Sequence, residues 1–280
     1  MQITESAAAL RAVLAPFHDR HETIALVPTM GAIHGGHEAL IRAARARAQV
    51  VVVSIFVNPL QFGLNELAAA YPRDPAGDEQ ACAAAGVDVI FRPTVEEMFP
   101  RGYSSYVTEE AVSRPLCGVS RPHYFRGVTT VTAKLLNLVQ PTVAFYGQKD
   151  AQQAAVVQKL VRDLAFDVEI VVVPTWREPD GLAAGARNRA LLPNQRQDAA
   201  MLHEALQRAK AMVDGGVRNP DRLIAEATHL LSQRRRLRVI YVATIDRDTM
   251  EAVREVVPGR TLMAIAAWVD EVRFIDNVGL

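Results

Sequence analysis

The sequence predicts an α/β fold: a Rossmann-like, doubly wound parallel sheet, followed by a smaller C-terminal α+β domain. Three observations predict it. Apolar strand-like runs alternate with helical runs as far as Pro174. The run "VVVVSIFV" at 50–57 is apolar at successive positions, as a strand covered on both faces requires. Past Thr175 the alternation stops, and two helical stretches precede three strand-like runs.

The first 20 residues, "MQITESAAALRAVLAPFHDR", read as an amphipathic helix. "TIALVP" at 23–28 is a short strand ended by proline, and the chain then turns through Thr29, Met30 and Gly31. A helix enters near Gly36 or His37, with Leu40, Ile41, Ala44 and Ala48 at helical spacing. After the 50–57 strand, "DPAGDEQACAAAG" is a helix stopped by Gly86, and "VDVIFRP" is a strand. "GVTTVTAKLLNLVQP", "TVAFYG", "AQQAAVVQKLVRDLA" and "DVEIVVVP" continue as helix, strand, helix, strand. The segment "TWREPDGLAAGARNRALLPNQ" is turn-rich. Helices follow at about 195–214 and 220–233, then strands "RVIYVATI", "TLMAIAAWV" and "EVRFIDNV". A boundary near Thr175 divides the chain into domains 1–175 and 176–280, and no internal repeat is visible.

Half of the 280 residues are hydrophobic, enough for a sizeable core. Lys+Arg and Asp+Glu both total 31, so no global charge selects nucleic acid or an anionic membrane, and any anion site must be local. The basic run "QRRRLR" at 233–238 reads as a solvated helix end. Cys82 and Cys117 lie far apart and have no metal-ligand spacing, which suits free thiols in a reducing compartment. The N-terminal stretch lacks a basic segment followed by a long apolar core, and no run reaches the roughly 18 apolar residues of a membrane span. A soluble cytoplasmic protein is expected.

Four loops carry candidate chemistry. In "HGGHEALIRAARAR", beginning at His34, two histidines stand three apart at the mouth of a helix that follows a strand. A helix N-terminus at the carboxyl end of a parallel strand favours phosphate. Gly31, Gly35 and Gly36 admit close backbone approach. Two imidazoles there can donate to a phosphate whose charge grows in a transition state. Metal ligation would need a third ligand, and no nearby residue completes one; an incidental surface pair stays open. In "FVNPLQFG" at 56–63, Asn58 and Gln61 either cap a turn or bind a ligand. In "FYGQKDAQQ" at 145–153, Lys149 offers charge to an anion, Asp150 faces a cation or caps the helix, and Gln152 and Gln153 add amides. In "REPDGLAAGARNRAL" at 177–191, Arg177, Arg187 and Arg189 are either solvated or phosphate-binding. Together the loops describe a nucleotide cleft between two domains. No Ser-His-Asp or Cys-His pattern stands out.

The words "PTMGAIHGGH", "SIFVNPLQFG", "YPRD", "SRPHYFRGVTTVTAKLLNLVQP", "FYGQKDAQQ" and "DGLAAGARNRAL", in this order, closely resemble the pantoate–β-alanine ligase family over nearly the whole chain. The first word is shared with a wider nucleotidylyl-transferase superfamily; the others are more specific. The resemblance implies ATP-dependent condensation of pantoate with β-alanine through a pantoyl adenylate, releasing AMP and pyrophosphate. It implies that His34, His37 and Lys149 serve the phosphates and the transition state, and that Met30, Gly147, Asp150 and Arg187 bind ATP. Gln61, Gln153 and Asn58 would bind pantoate, with Tyr71 and Arg121 on the β-alanine side. Mg²⁺ would travel with ATP, held by phosphate oxygens rather than directly by the chain. The resemblance further implies a homodimer. One departure concerns the family's usual serine pair before Arg-Asn-Arg, replaced here by Gly185 and Ala186, with Ala184 in place of a bulkier residue. It leaves open a nucleotide-binding relative with weak or no turnover.

Overall fold

The computed structural model describes residues 1–63 and 68–280. The parallel strands are β1 Gln2–Thr4, β2 Ile24–Thr29, β3 Val50–Ile55, β4 Val89–Phe91, β5 Val143–Gly147 and β6 Glu169–Val173. They lie in the order β1-β4-β3-β2-β5-β6, so the chain winds outward from β2 in one direction and then in the other. Because side chains alternate along a strand, Ile24, Leu26, Val50 and Val52 face one layer, with α1 Ala7–Asp19, α6 Tyr124–Val139 and α7 Ala151–Asp163. Ala25, Val27, Val51 and Val53 face the other, with α2 Gly35–Arg45 and α3 Pro75–Ala84. Two short helices, α4 Val95–Met98 and α5 Cys117–Ser120, sit in the long connection after β4.

The predicted N-terminal helix is corrected. Gln2–Thr4 is a strand that pairs in parallel with Val89–Phe91, and the helix begins only after Ser6, whose side chain accepts from the Ala9 N–H. A three-residue strand is too short to show a period, and its partner lies more than 80 residues away.

Beyond β6, α8 Pro193–Asp214 and α9 Pro220–Ser232 pack on an antiparallel sheet of β7 Leu237–Asp246, β8 Thr261–Val269 and β9 Val272–Gly279. The predicted boundary at Thr175 falls just past β6. The apolar packing does not stop there: Ile245, Met250, Leu262 and Ala264 join the same buried cluster as Leu26, Tyr146 and Val156. Among the described residues no helix is long and apolar enough to cross a membrane.

Candidate active site

A cavity of about 290 Å³ opens at the carboxyl ends of β2, β3 and β5, where the winding reverses. Met30, His34, His37, Gln61, Tyr71, Arg121, Gly147, Lys149, Asp150, Gln153 and Arg187 all line it.

The loop leaving β2 is built around a buried carboxylate. Gly31 has φ +81° and Ala32 φ +49°, which turns two successive amides inward. The Asp78 carboxylate, from the first turn of α3, accepts from the Ala32 N–H at 3.0 Å and the Ile33 N–H at 2.6 Å. A Cβ at Gly31 would stand 2.7 Å from that carboxylate, so the position takes glycine for space as well as for φ. Burial pushes the Asp78 carboxyl above its ordinary value, and the two amides pull it back.

Helix α2 starts at Gly35, earlier than the sequence reading, because His34 is itself the cap: its Nδ1 accepts from the Gly36 N–H at 3.2 Å. An accepting Nδ1 leaves the ring proton on Nε2. The His37 ring stacks on it, with centroids 3.9 Å apart and planes at 24°. Burial, and next the Lys149 ammonium, lower the His34 pKa to about 4. Burial, then His34 and Lys149, hold His37 well below its ordinary value. Both rings are therefore neutral at pH 7, and His37 Nδ1 is buried with no hydrogen-bond partner among the described residues. The expectation that Gly35 admits a ligand is corrected: its open face is filled by Trp176, whose ring would lie 2.8 Å from a Cβ there.

Three further candidates turn inward rather than toward a ligand. Asn58 is 1% exposed and does not line the cavity. Its amide caps the turn Pro59–Gln61 through the Leu60 N–H, and donates to Gln61 Oε1 and Gly127 O, both at 3.0 Å. Asn58 thus holds the Gln61 side chain from behind the cavity wall. Gln152 is spent on backbone, accepting from the Cys117 N–H and donating to Val112 O and Pro115 O. Arg177 pairs with the buried Asp276 through two bonds of 2.7 and 3.0 Å, and also donates to Gly181 O, so it anchors the 177–191 loop from behind.

The remaining groups face the cavity. The Tyr124 hydroxyl, its pKa pushed up to about 12 by burial, donates to Gln153 Oε1 at 3.1 Å. Arg121 donates to Gln61 O at 2.8 Å and stacks over Tyr124. Asp150 precedes α7 without capping it by its side chain. Asn277 on β9 donates to Gln148 O at 2.8 Å and Lys149 O at 2.9 Å, fixing the turn that carries Lys149. Arg189 donates to Ile33 O at 2.9 Å, tying the 177–191 loop to the histidine loop. Arg187 stands over the Tyr71 ring at 5.7 Å, and no carboxylate lies within ion-pair distance of it among the described residues. The Gly185 backbone is extended, and a Cβ there would lie 3.8 Å from Lys149 Nζ.

Sequence reasoning missed Asp78, Tyr124, Trp176, Asp276 and Asn277. Asp78 follows the "YPRD" word by four positions, but no spacing rule ties an α3 carboxylate to amides 45 residues upstream. Among the described residues no group of three or more His, Cys, Asp and Glu side chains could hold a metal ion. The cavity's cations and neutral donors suit an anion.

Comparison with known proteins gives one answer. The model of a family described as pantoate-beta-alanine ligase matches residues 2–279. Pantothenate synthetase of Moorella thermoacetica is 48% identical over 280 residues, covering 100% of this chain and 99% of the relative. That of Geobacter sulfurreducens is 46% identical over 277 residues, covering 99% and 98%. The crystal structure of pantothenate synthetase from Thermus thermophilus superposes with a TM-score of 0.94 at 40% identity, covering 100% of this chain and 99% of that one. The Francisella tularensis pantoate-beta-alanine ligase, complexed with beta-gamma ATP and beta-alanine, superposes with a TM-score of 0.83 at 30% identity, covering 100% and 97%. The residues that line the cavity, the two-sheet architecture and the full-length matches agree, and the chain belongs to the pantoate–β-alanine ligase family.

Proposed function

We propose that this enzyme makes pantothenate in two steps within one cavity. The pantoate carboxylate attacks the α-phosphorus of ATP, forming pantoyl adenylate and releasing pyrophosphate. The β-alanine amine then attacks the acyl carbon, and AMP leaves. A carboxylate is a poor acyl donor until one oxygen becomes a good leaving group, which adenylation supplies. The work asked of the protein is positioning and charge stabilisation, not covalent catalysis.

One observation carries the reading. Lys149, close enough to both histidines to depress their pKa values, shares a cavity with Gln61 and Gln153, so phosphate-directed and hydroxyl-directed groups face one space. Lys149 lets two anions approach each other. His34 and His37 donate to the phosphates as neutral imidazoles. Gln61, aimed by Asn58, and Gln153, aimed by Tyr124, take pantoate. Met30, Gly147 and Asp150 hold the adenosine side, and Arg187 grips the β- and γ-phosphates. Tyr71 and Arg121 border the β-alanine side. Mg²⁺ enters with ATP, bound by phosphate oxygens, and offsets their charge. The 176–280 part forms the roof over ATP, and the enzyme works as a cytoplasmic homodimer, as family membership suggests.

The test is AMP release from ATP, pantoate and β-alanine, omitting each in turn. Dependence on both partners, with pantoate-dependent pyrophosphate release in the absence of amine, is the expected result. AMP formation without pantoate, or no turnover at all, overturns the reading; the latter outcome would favour a binding-only relative weakened at Gly185 and Ala186.

A further inference from the structure

The cavity at the strand ends has a wall that the reading above leaves unused. Val128, Val131, Thr132 and Leu135 line it at helical spacing, so one face of α6 borders it over about 10 Å. Phe56, after β3, and Tyr146, on β5, line it too and share a buried cluster with the three aliphatic residues. None of these six side chains is charged. Lys149, Arg121 and Arg187 come from the connections instead, so the cavity has a charged side and an uncharged recess.

The recess holds an unpaired donor. Tyr146 is 4% exposed, and its hydroxyl has no hydrogen-bond partner among the described residues. Burial pushes its pKa up to about 12, with the Thr132 side chain pulling it back, so the phenol keeps its proton. The buried Thr132 acts on the phenol without meeting it in hydrogen-bond geometry. Phenylalanine would fill the same space without stranding a donor, and a stranded donor is costly. The chemistry of the gap selects its occupant. A carboxylate or an ammonium does not suit an uncharged recess. A hydroxyl both accepts and donates, so it fits between a phenol and a threonine. The aliphatic side chains around it suit a branched carbon that carries this hydroxyl.

We infer that Tyr146 is a specificity-determining residue: its phenol donates to the 4-hydroxyl of pantoate, that hydroxyl donates to Thr132 Oγ1, and acids without it are rejected. The inference rests on the ligase reading, in which the carboxylate lies beside Lys149 and the far end of the acid reaches the recess. Gln61 and Gln153 keep the other end. Their carbonyl oxygens already accept from Asn58 and Tyr124, so both present N–H groups to the carboxylate and the 2-hydroxyl.

The experiment measures exchange of pyrophosphate into ATP, which needs no amine, with two acids. One is pantoate and the other is 2-hydroxy-3,3-dimethylbutanoate, the same acid without its 4-hydroxyl. The parent enzyme should prefer pantoate by at least about 100-fold in kcat/KM, because the deoxy acid leaves the buried phenol unpaired. In Tyr146→Phe the preference should fall to within about tenfold: pantoate loses, the deoxy acid holds or gains, and the KM for ATP stays within about twofold. Thr132→Val should lower the same preference by a smaller factor, and it decides the matter if Tyr146→Phe does not fold. A parent that takes both acids alike, a preference unaltered in the variants, or an equal loss with both acids overturns the role of Tyr146. A parent that shows exchange with neither acid overturns the ligase reading itself; exchange with pantoate together with an unaltered preference overturns the Tyr146 assignment alone.

Discussion

His34 spends Nδ1 on the Gly36 amide, and Lys149 discourages a second proton, so its Nε2–H is a neutral donor over the whole physiological range. In the ligand-free enzyme its NMR titration is expected near pH 4 instead of 6.5, and ATP should raise that value by placing negative charge beside it. The unfolded chain takes up this proton near 6.5 and the folded one only near 4, so the contribution to stability is constant above pH 6.5 and is lost as pH falls from 6.5 to 4. His34→Ala and His37→Ala should each slow adenylation by on the order of 10²–10³; turnover close to the parent's in both would remove their role. The serine-less loop yields a second prediction. Gly185 has an extended backbone, and its nearest obstacle is Asn188 Oδ1, 3.3 Å from an added Cβ, so serine can be accommodated with a small shift. Gly185→Ser with Ala186→Ser is expected to tighten ATP about tenfold, roughly 1.4 kcal/mol, and to leave pantoate affinity alone. ATP titration at saturating pantoate checks it, and unaltered affinity would mean Arg187 and the backbone already suffice. At this scale the cavity-lining residues were largely legible, because glycines, histidines and amides after apolar runs mark strand-end loops. What the sequence hid was direction. Asn58, Gln152 and Arg177 have the chemistry of ligand-binding residues, yet each is spent on the protein itself.

Between elements, the α3 carboxylate orders the β2–α2 loop from across the sheet end. Asp78→Asn keeps one acceptor oxygen and leaves one buried amide without a partner, a cost of about 1–3 kcal/mol. We expect a lowered melting temperature together with slower adenylation, measured by thermal unfolding and by pyrophosphate release. Full activity in a destabilised variant would separate the loop's shape from its chemistry. The central strands and long helices were legible because β2, β3 and β5 are buried on both faces and α6 and α7 keep an apolar stripe. The element the sequence did not reveal, β1, exists only through its pairing with β4, a contact that no local pattern encodes. Helix α5 is similar: its start at Leu116 has φ +53° and no side-chain cap, and the segment before it is held by Gln152 instead.

For the whole molecule, Asp276 and Asn277 matter most. These adjacent residues of β9 bind the base of the 177–191 loop through Arg177 and the Lys149 turn through two carbonyls. Asn277→Ala should slow the first step at least tenfold, with a smaller change in ATP affinity, because it frees the turn that carries the lysine without touching the nucleotide. Stopped-flow pyrophosphate release with an ATP titration resolves the two, and an effect confined to affinity would contradict it. The apolar cluster that runs from β2 and α7 into β7 and β8 has a consequence for how the enzyme comes apart. Two halves joined through a common oily interior cannot melt independently, since parting them would expose Ile245 and Leu262 to water. Calorimetry should therefore record one endotherm, with equal van't Hoff and calorimetric enthalpies. The amides of the turn-rich loop at 178–190 should trade hydrogen for deuterium long before those of β8, whose backbone is paired on both sides.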